Sequence, residues 1–249
     1  MSSAPKKSSS AKDKESGVRS QESAAADSTR LPVPRNRYVI FLAIALLGFA
    51  ADWMTKEAVF DWLGVHADFV EKSHPENLSR WRGDPSRDHL WWLWKGRLGI
   101  QTSINTGALF GMGAGRWWLF ASLAVVALIG IPTWLFYFGA AHDRWITVAI
   151  GSVTGGILGN LYDRLGLWDS AGLKADFQHG VRDWILFVWP ESGMKLFNPW
   201  PNFNIADSLL VTGAIMLVVH AFVWREKKEE KEDRSQETGD RKQEAGTRR

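Results

Sequence analysis

Apolar residues are gathered into four runs along this chain, and the charged residues lie around them. Tyr38 to Ala51 reads YVIFLAIALLGFAA, Trp117 to Phe138 reads WWLFASLAVVALIGIPTWLFYF, Trp145 to Tyr162 contains ITVAIGSVTGGILGNLY, and Ile205 to Trp224 reads IADSLLVTGAIMLVVHAFVW. About 20 mostly apolar residues, each rising about 1.5 Å, cross a bilayer core of about 30 Å. All four runs therefore predict membrane-spanning helices. The first is short by itself but continues as DWMTKEAVFDWL, so its helix is expected to run on past Asp52. It lies deep in the chain and lacks a small-x-small cleavage site followed by a soluble domain, so it reads as a span and not as a signal peptide. Pro132 predicts a kink in the second run. The glycines of the third fit close helix contact inside a membrane.

The flanks have the opposite character. Residues 1–37 are rich in Ser and Ala, with Lys, Asp and Pro among them, and residues 225–249 are rich in Lys, Arg, Glu and Gln. Neither segment holds enough apolar surface to offset the entropy of ordering. The expected organisation is a disordered polar tail over 1–37, one membrane domain over 38–224, and a charged disordered tail over 225–249. Whole-chain averages hide this: a mean hydropathy of −0.17 describes an ordinary soluble protein.

Lys and Arg close to the spans predict orientation. Arg30, Arg35 and Arg37 precede the first span, and Arg225, Lys227, Lys228 and Lys231 follow the fourth. An even number of spans puts both tails on one side, expected to be the cytoplasm. Residues 57–116 and 165–204 would then face outward. The 15 tryptophans include Trp81, Trp91, Trp92, Trp94, Trp117, Trp189 and Trp200 in or beside those outer segments. Such placement fits an interfacial aromatic belt.

On this topology the unusual polar residues gather on the outer face. Asp52 and Lys56 lie near the outer end of the first span, and Asn105 lies just before the second. Asn160, Asp163 and Arg164 close the third span, Asp176 and Asp183 lie in the second outer segment, and Asn204 and Asp207 open the fourth. Ionisable groups at membrane depth are costly and face a protein interior or a wet cavity. Asp52 and Lys56 are spaced i, i+4, as are Asn160 and Arg164, so intrahelical pairing is one reading of each. An acid in the first turn of a helix, as at Asp207, is favoured by the dipole whatever its role.

The chemistry open to such a face is narrow. With no cysteine, disulfides, thiolate nucleophiles and Cys-ligated metals are excluded. There is no HExxH, the six histidines show no ligand spacing, and no metal or cofactor is expected. Ser208 has neither a GxSxG elbow nor a histidine placed to activate it. No basic stripe with interleaved aromatics suggests nucleic acid, despite a pI near 9.2. Carboxylates remain. Two acids held close in a poorly hydrated site cannot both ionise, so one keeps a proton while the other activates water.

Four short motifs carry a resemblance. DWMTK (Asp52 to Lys56), NTGALFG (Asn105 to Gly111, with Gly107), GGILGNLYDR (Gly155 to Arg164) and FNIADS (Phe203 to Ser208, with Ala206) occur in this order, each at its expected helix end. Together they resemble the D-x-x-[ST]-K, N-x-G-x-x-[FW]-G, G-N-x-x-D-R and F-N-x-A-D boxes of the signal peptidase II family, the prolipoprotein signal peptidases of the bacterial cytoplasmic membrane. The resemblance implies an all-α integral membrane fold: a four-helix bundle with a small extracytoplasmic β-sheet and a membrane-surface helix, both expected within residues 57–116. It implies an aspartic endopeptidase that cuts diacylglyceryl-modified prolipoproteins before the lipidated cysteine. The partners implied are those precursors and membrane phospholipid, for a monomeric enzyme.

The family's first catalytic aspartate follows the D-R pair closely, in a G-x-V-x-D-F context. Here the stretch after Arg164 is longer and offers Asp169, Asp176 and Asp183. GVRDWILF around Asp183 matches best, KADF at Asp176 is the rival, and the residues between read as an insertion. The dyad implied is Asp183 and Asp207. Asn160, Arg164 and Asn204 would hold substrate and brace the acids, supported by Asp52, Lys56, Asn105, Gly107, Asp163 and Ala206. Two other classes use membrane carboxylates or outer polar faces: a proton-coupled carrier, which needs polar residues at mid-depth, and a non-catalytic scaffold, which leaves the paired Asn and Asp unexplained.

Overall fold

The computed structural model describes residues 32–71, 90–107, 112–189 and 199–223. Trp81, most of the N-terminal tail, all of the C-terminal tail, and the last four residues of the NTGALFG box lie outside them. So does much of the stretch in which the membrane-surface helix was expected.

Four helices among the described residues are long and apolar enough to cross a membrane: Arg35–Leu63, Trp117–Tyr137, Arg144–Arg164 and Ile205–Val223. The first, α1 (Arg35–Leu63), begins at Arg35 and runs 29 residues through Asp52 to Leu63, with Gly64 as its C-cap. Its buried residues, Arg37, Phe41, Ala45, Asp52, Lys56, Val59, Phe60 and Leu63, form one stripe at three- and four-residue spacing. Leu42, Leu46 and Leu47 on the other side are exposed, as lipid-facing residues must be. Helix α2 (Trp117–Pro132) passes at Pro132 into a π-helical segment, Thr133–Tyr137. Proline has no N–H and its ring crowds the preceding turn, so the chain widens its register where a kink was expected.

Helix α3 (Arg144–Arg164) is the most buried of the four. Its glycines are points of backbone approach. A Cβ on Gly155 would sit 3.0 Å from the Ala45 carbonyl oxygen of α1, and one on Gly156 would meet the Ala206 carbonyl of α4 (Ile205–Val223) at 2.5 Å. Asp143 caps α3, accepting from the N–H groups of Trp145 and Ile146 at 2.7 and 3.2 Å. It also meets His220 of α4 at 2.8 Å. These contacts outweigh the cost of burial and hold its carboxyl below the usual range.

At the other end of the helices lies an antiparallel sheet of four strands in the order β1 (Leu90–Trp94), β2 (Leu98–Asn105), β3 (Val181–Phe187), β4 (Trp200–Phe203). The expectation that the sheet falls within residues 57–116 is corrected: half of it comes from the segment between α3 and α4. Pairing is Ser103 with Asp183, Ile104 with Arg182 and Asn105 with Val181 on one side of β3, and Ile185 with Phe203 on the other. A β-strand cannot be satisfied alone, so β2 recruits β3 across the intervening helices.

The fifteen-residue stretch from Leu165 to His179 is folded against this sheet. Trp168 and Leu173 join Val59, Phe60, Leu63, Val65, Val70 and Ile104 in one apolar core, and Val70 bridges to Leu173. This stretch therefore closes a hydrophobic layer between the end of α1 and the back of the sheet.

Candidate active site

Five elements meet where the sheet joins the helices. Strand alternation puts Val181, Asp183 and Ile185 on one face of β3, and Arg182, Trp184 and Leu186 on the other. Asp183 is almost fully buried and Asp176 is exposed. Asp207 sits in the first turn of α4, which follows β4 directly.

Asn204 joins the two acids. Its Nδ2 donates to Oδ1 of Asp183 at 2.7 Å, its backbone N–H donates to Oδ2 of Asp207 at 3.2 Å, and its Oδ1 accepts from the Asp207 N–H at 2.9 Å. Asn160 holds Asp207 from the other side, donating from Nδ2 to Oδ1 at 2.8 Å. The Asn160 amide oxygen in turn accepts from Asn204 and from Lys56, both at 3.2 Å. Burial pushes the Asp183 carboxyl well above the usual range, and the nearby Asp207 charge adds to the rise. Lys56 and the amides of Asn105 and Asn204 oppose it only in part.

Beneath this pair lies a buried ionic lattice. Lys56 Nζ contacts Asp52 at 2.6 Å and Asp163 at 2.9 Å. Asp52 also accepts from the Ala206 N–H at 2.8 Å, which ties α1 to the start of α4. Asp52 and Lys56 thus form the expected i, i+4 pair, and they do so as part of a three-helix contact. Arg164 reaches the carbonyls of Thr106 and Gly107 and lies 4.9 Å over the Phe120 ring. Asn105 Oδ1 accepts from the Gly107 N–H at 3.0 Å. Asn160, Arg164 and Asn204 are therefore all hydrogen-bonded within the protein itself.

A cleft of about 730 Å³ opens above the acids. Asn105, Gly107, Asn160, Arg164, Asp183 and Asp207 line its polar end, and Phe120, Ala124, Ile157, Leu210 and Val211 its apolar flank. A cleft with polar and apolar lining suits an amide with apolar neighbours. Among the described residues no cluster of three or more His, Asp or Glu could hold a metal ion. Ser208 donates to the Asn204 carbonyl at 3.0 Å, a capping contact with no base beside it.

Two residues of this lattice carry no motif. Arg182 and Glu57 meet at 2.8 Å although they are 125 positions apart. The signal for Arg182 is a lone cation in the otherwise apolar strand that carries Asp183.

The family model described as signal peptidase (SPase) II matches residues 44–223. A lipoprotein signal peptidase from Rhodopirellula baltica is 48% identical over 189 residues, covering 76% of this chain and 74% of the relative. Another from Pseudomonas syringae pv. tomato is 40% identical over 137 residues, 53% of this chain and 68% of that one. A bacterial membrane enzyme solved by the in meso method at 2.3 Å resolution shares the fold, with a TM-score of 0.50 and 22% identity over 73% of this chain and 87% of its own.

Proposed function

The chain belongs to the signal peptidase II family of multi-pass membrane proteases that process lipoproteins, and from that premise we propose that Asp183 and Asp207 are the catalytic dyad of an aspartic endopeptidase. The substrates are prolipoproteins whose lipobox cysteine carries a diacylglyceryl group, and the bond cut is the one before that cysteine. The observation that carries this reading is that one residue, Asn204, bonds to both acids, its side-chain amide to the Asp183 carboxyl and its backbone N–H to that of Asp207, beside one cleft that both acids line.

The chemistry follows from the asymmetry of the pair. Asp183 is buried and faces the charge of Asp207, so it holds the shared proton. Asp207 accepts N–H donors from Asn160 and Asn204 at the positive end of α4, which suits a carboxylate. A water between them gives its proton to Asp207 as its oxygen attacks the scissile carbonyl, and Asp183 donates to the developing oxyanion. The proton taken by Asp207 then passes to the leaving amine, and as the gem-diol collapses to the product acid one hydroxyl proton returns to Asp183. Asp176, exposed on a short helical turn outside the cleft, has no place in this scheme.

Asn160, Asn204, Asp52, Lys56, Asn105, Gly107, Asp163, Arg164 and Ala206 brace the dyad and shape the cleft. The four apolar helices cross the bacterial inner membrane with both tails in the cytoplasm and the dyad near the outer leaflet. The diacylglyceryl chains lie along the apolar flank beside membrane phospholipid. A lipid tether confines the scissile bond to a thin slab at the depth of the acids, which raises its effective concentration there. The enzyme acts as a monomer, with residues 38–224 as its catalytic domain.

The test uses purified full-length protein, a diacylglyceryl-modified precursor and its unmodified twin. Cleavage of the lipidated form alone, lost in Asp183→Asn and Asp207→Asn, is the expected result. Equal cleavage of both forms overturns the substrate assignment, and an active Asp183→Asn overturns the dyad.

A further inference from the structure

A fully buried arginine beside a proposed catalytic acid demands an account. Arg182 is 1% exposed and immediately precedes Asp183 in β3. Placing a cation there costs several kcal/mol unless good partners surround it. Its partners are specific. Asp163 at the end of α3 accepts the Arg182 backbone N–H on Oδ2 and the side-chain Nε on Oδ1, both at 3.0 Å, and Nη2 lies 3.0 Å from the same Oδ1. Nη1 reaches Glu57 of α1 at 2.8 Å. The guanidinium carbon stands 4.8 Å from the Trp168 ring and 5.9 Å from that of Phe60.

We propose that Arg182 is a positioning residue for Asp183: held by Asp163 and Glu57 and seated on Trp168, it locks the face and register of β3 so that the next carboxylate meets Asn204. The inference rests on the dyad reading above. Its logic is the two-residue period of a strand, in which fixing one side chain on the rear face fixes its neighbour on the front. The lock is needed because the β2–β3 ladder is irregular between Ile100 and Ser103, close to the pairing of Ser103 with Asp183. There two residues of β2, Gln101 and Thr102, stand opposite the single residue Trp184 of β3, so regular pairing does not by itself carry the ladder past Asp183. Trp168 gives the insertion after α3 a purpose, since it supplies the aromatic seat.

The experiment measures kcat and KM of full-length wild type, Arg182→Gln, Arg182→Lys and Glu57→Gln on a diacylglyceryl-modified precursor, per folded molecule isolated by size exclusion. Displacing a reacting group by about 1 Å costs on the order of 100-fold. The expected result is a kcat loss of roughly 10- to 100-fold in Arg182→Gln with KM within about twofold. Arg182→Lys keeps the charge but not the planar fork, and recovers part of the loss. Wild-type kcat in Arg182→Gln, or a rise in KM with kcat intact, overturns the proposal. Should Arg182→Gln yield no folded protein, Glu57→Gln decides: its carboxylate is 36% exposed and its loss spares the Asp163 contact. A kcat lowered about threefold, the scale of a sub-kcal/mol contact, supports the proposal, and an unchanged kcat overturns it. An Asp183→Asn control separates the two readings. An active control sinks the dyad, whereas an inactive control beside fully active Arg182 and Glu57 variants sinks the positioning role alone.

Discussion

The side-chain amide of Asn204 donates to Asp183 at 2.7 Å, and the same residue exchanges hydrogen bonds with Asp207 through its backbone N–H and its Oδ1. One side chain thereby spans the strand that brings one acid and the helix that brings the other. Asn204 is fully buried, so whatever it loses is not replaced by water.

Asn204→Ala is expected to lower kcat by about 100-fold with little change in KM, because Asp183 loses its amide donor and the Asp207 N–H its acceptor while only the backbone contact to the Asp207 carboxyl remains. Removing a partner from a buried hydrogen-bonded group costs about 1–3 kcal/mol, so thermal unfolding in detergent should shift downward as well. Cleavage assays on a lipidated precursor check the first expectation and a melting curve the second. Wild-type kcat with a lowered melting temperature would reduce Asn204 to a structural residue.

The raised proton affinity of Asp183 makes a signed prediction. Its ordinary value is 3.8, and the folded protein holds it well above that. Between those two pH values the folded state keeps a proton that the unfolded chain has released, so stability falls as pH rises through the window. Asp183→Asn removes that penalty. Its melting temperature should match wild type below pH 4 and exceed it increasingly as pH rises, while cleavage is lost. Wild-type activity itself should decline on the alkaline side as the shared proton is lost. A variant that becomes relatively less stable at high pH would show that Asp183 is not buried as a protonated acid.

Local patterns in the sequence were read well, and contacts across the chain were not. Three spans end within two residues of their apolar runs, and the first continues twelve further to Leu63, because helices satisfy their backbone locally and lipid demands an apolar surface. The Asp52–Lys56 pair and the close-packed glycines of α3 follow from helical spacing alone. Two strands lie within the expected residues 57–116 and two do not, because strand pairing between β2 and β3 is decided by tertiary contact. The same limit hid the Glu57–Arg182 pair and the contact of Asp143 with His220, which join residues far apart in the chain. Among Asp169, Asp176 and Asp183 the motif ranking favoured Asp183, and burial in the cleft now adds a physical reason for preferring it.

Lys56 holds three oxygens in a site closed to water: Asp52 at 2.6 Å, Asp163 at 2.9 Å and Asn160 at 3.2 Å. Lys56→Met keeps most of the side-chain volume and leaves two buried carboxylates without that cation. Breaking such a lattice costs about 3–5 kcal/mol. The expected outcome is a marked loss of folded protein, seen as a lower melting temperature and reduced yield after solubilisation. A melting temperature equal to wild type would mean the lattice is wetter than its burial indicates.

Chelation should leave cleavage intact. The proposed acids are held by amides, and His179, which stacks on Trp117, and His220, which pairs with Asp143, are committed elsewhere. Incubation with a strong chelator, followed by the precursor assay, should give wild-type rates. Loss of activity restored by zinc would replace the two-acid mechanism with a metal-assisted one.

Gly159 offers the sharpest test of how tightly α1, α3 and α4 are set. A methyl group there would collide with Oδ2 of Asp52, approach its Cγ to 2.9 Å and meet the Ala206 Cβ at 3.1 Å. Asp52 cannot retreat freely, since Lys56 holds that same oxygen and the Ala206 N–H holds the other. Alanine is the better helix former by about 1 kcal/mol, so propensity alone would make Gly159→Ala stabilising. Crowding predicts the opposite. The variant should melt lower and lose activity, because displacing Ala206 displaces Asp207 beside it. Gly130→Ala in α2 is the internal control: a Cβ there meets nothing within 4 Å, so propensity should act alone and stability should hold or rise. If both variants gain stability and cleave normally, the contact between Asp52 and the start of α4 does not constrain the dyad.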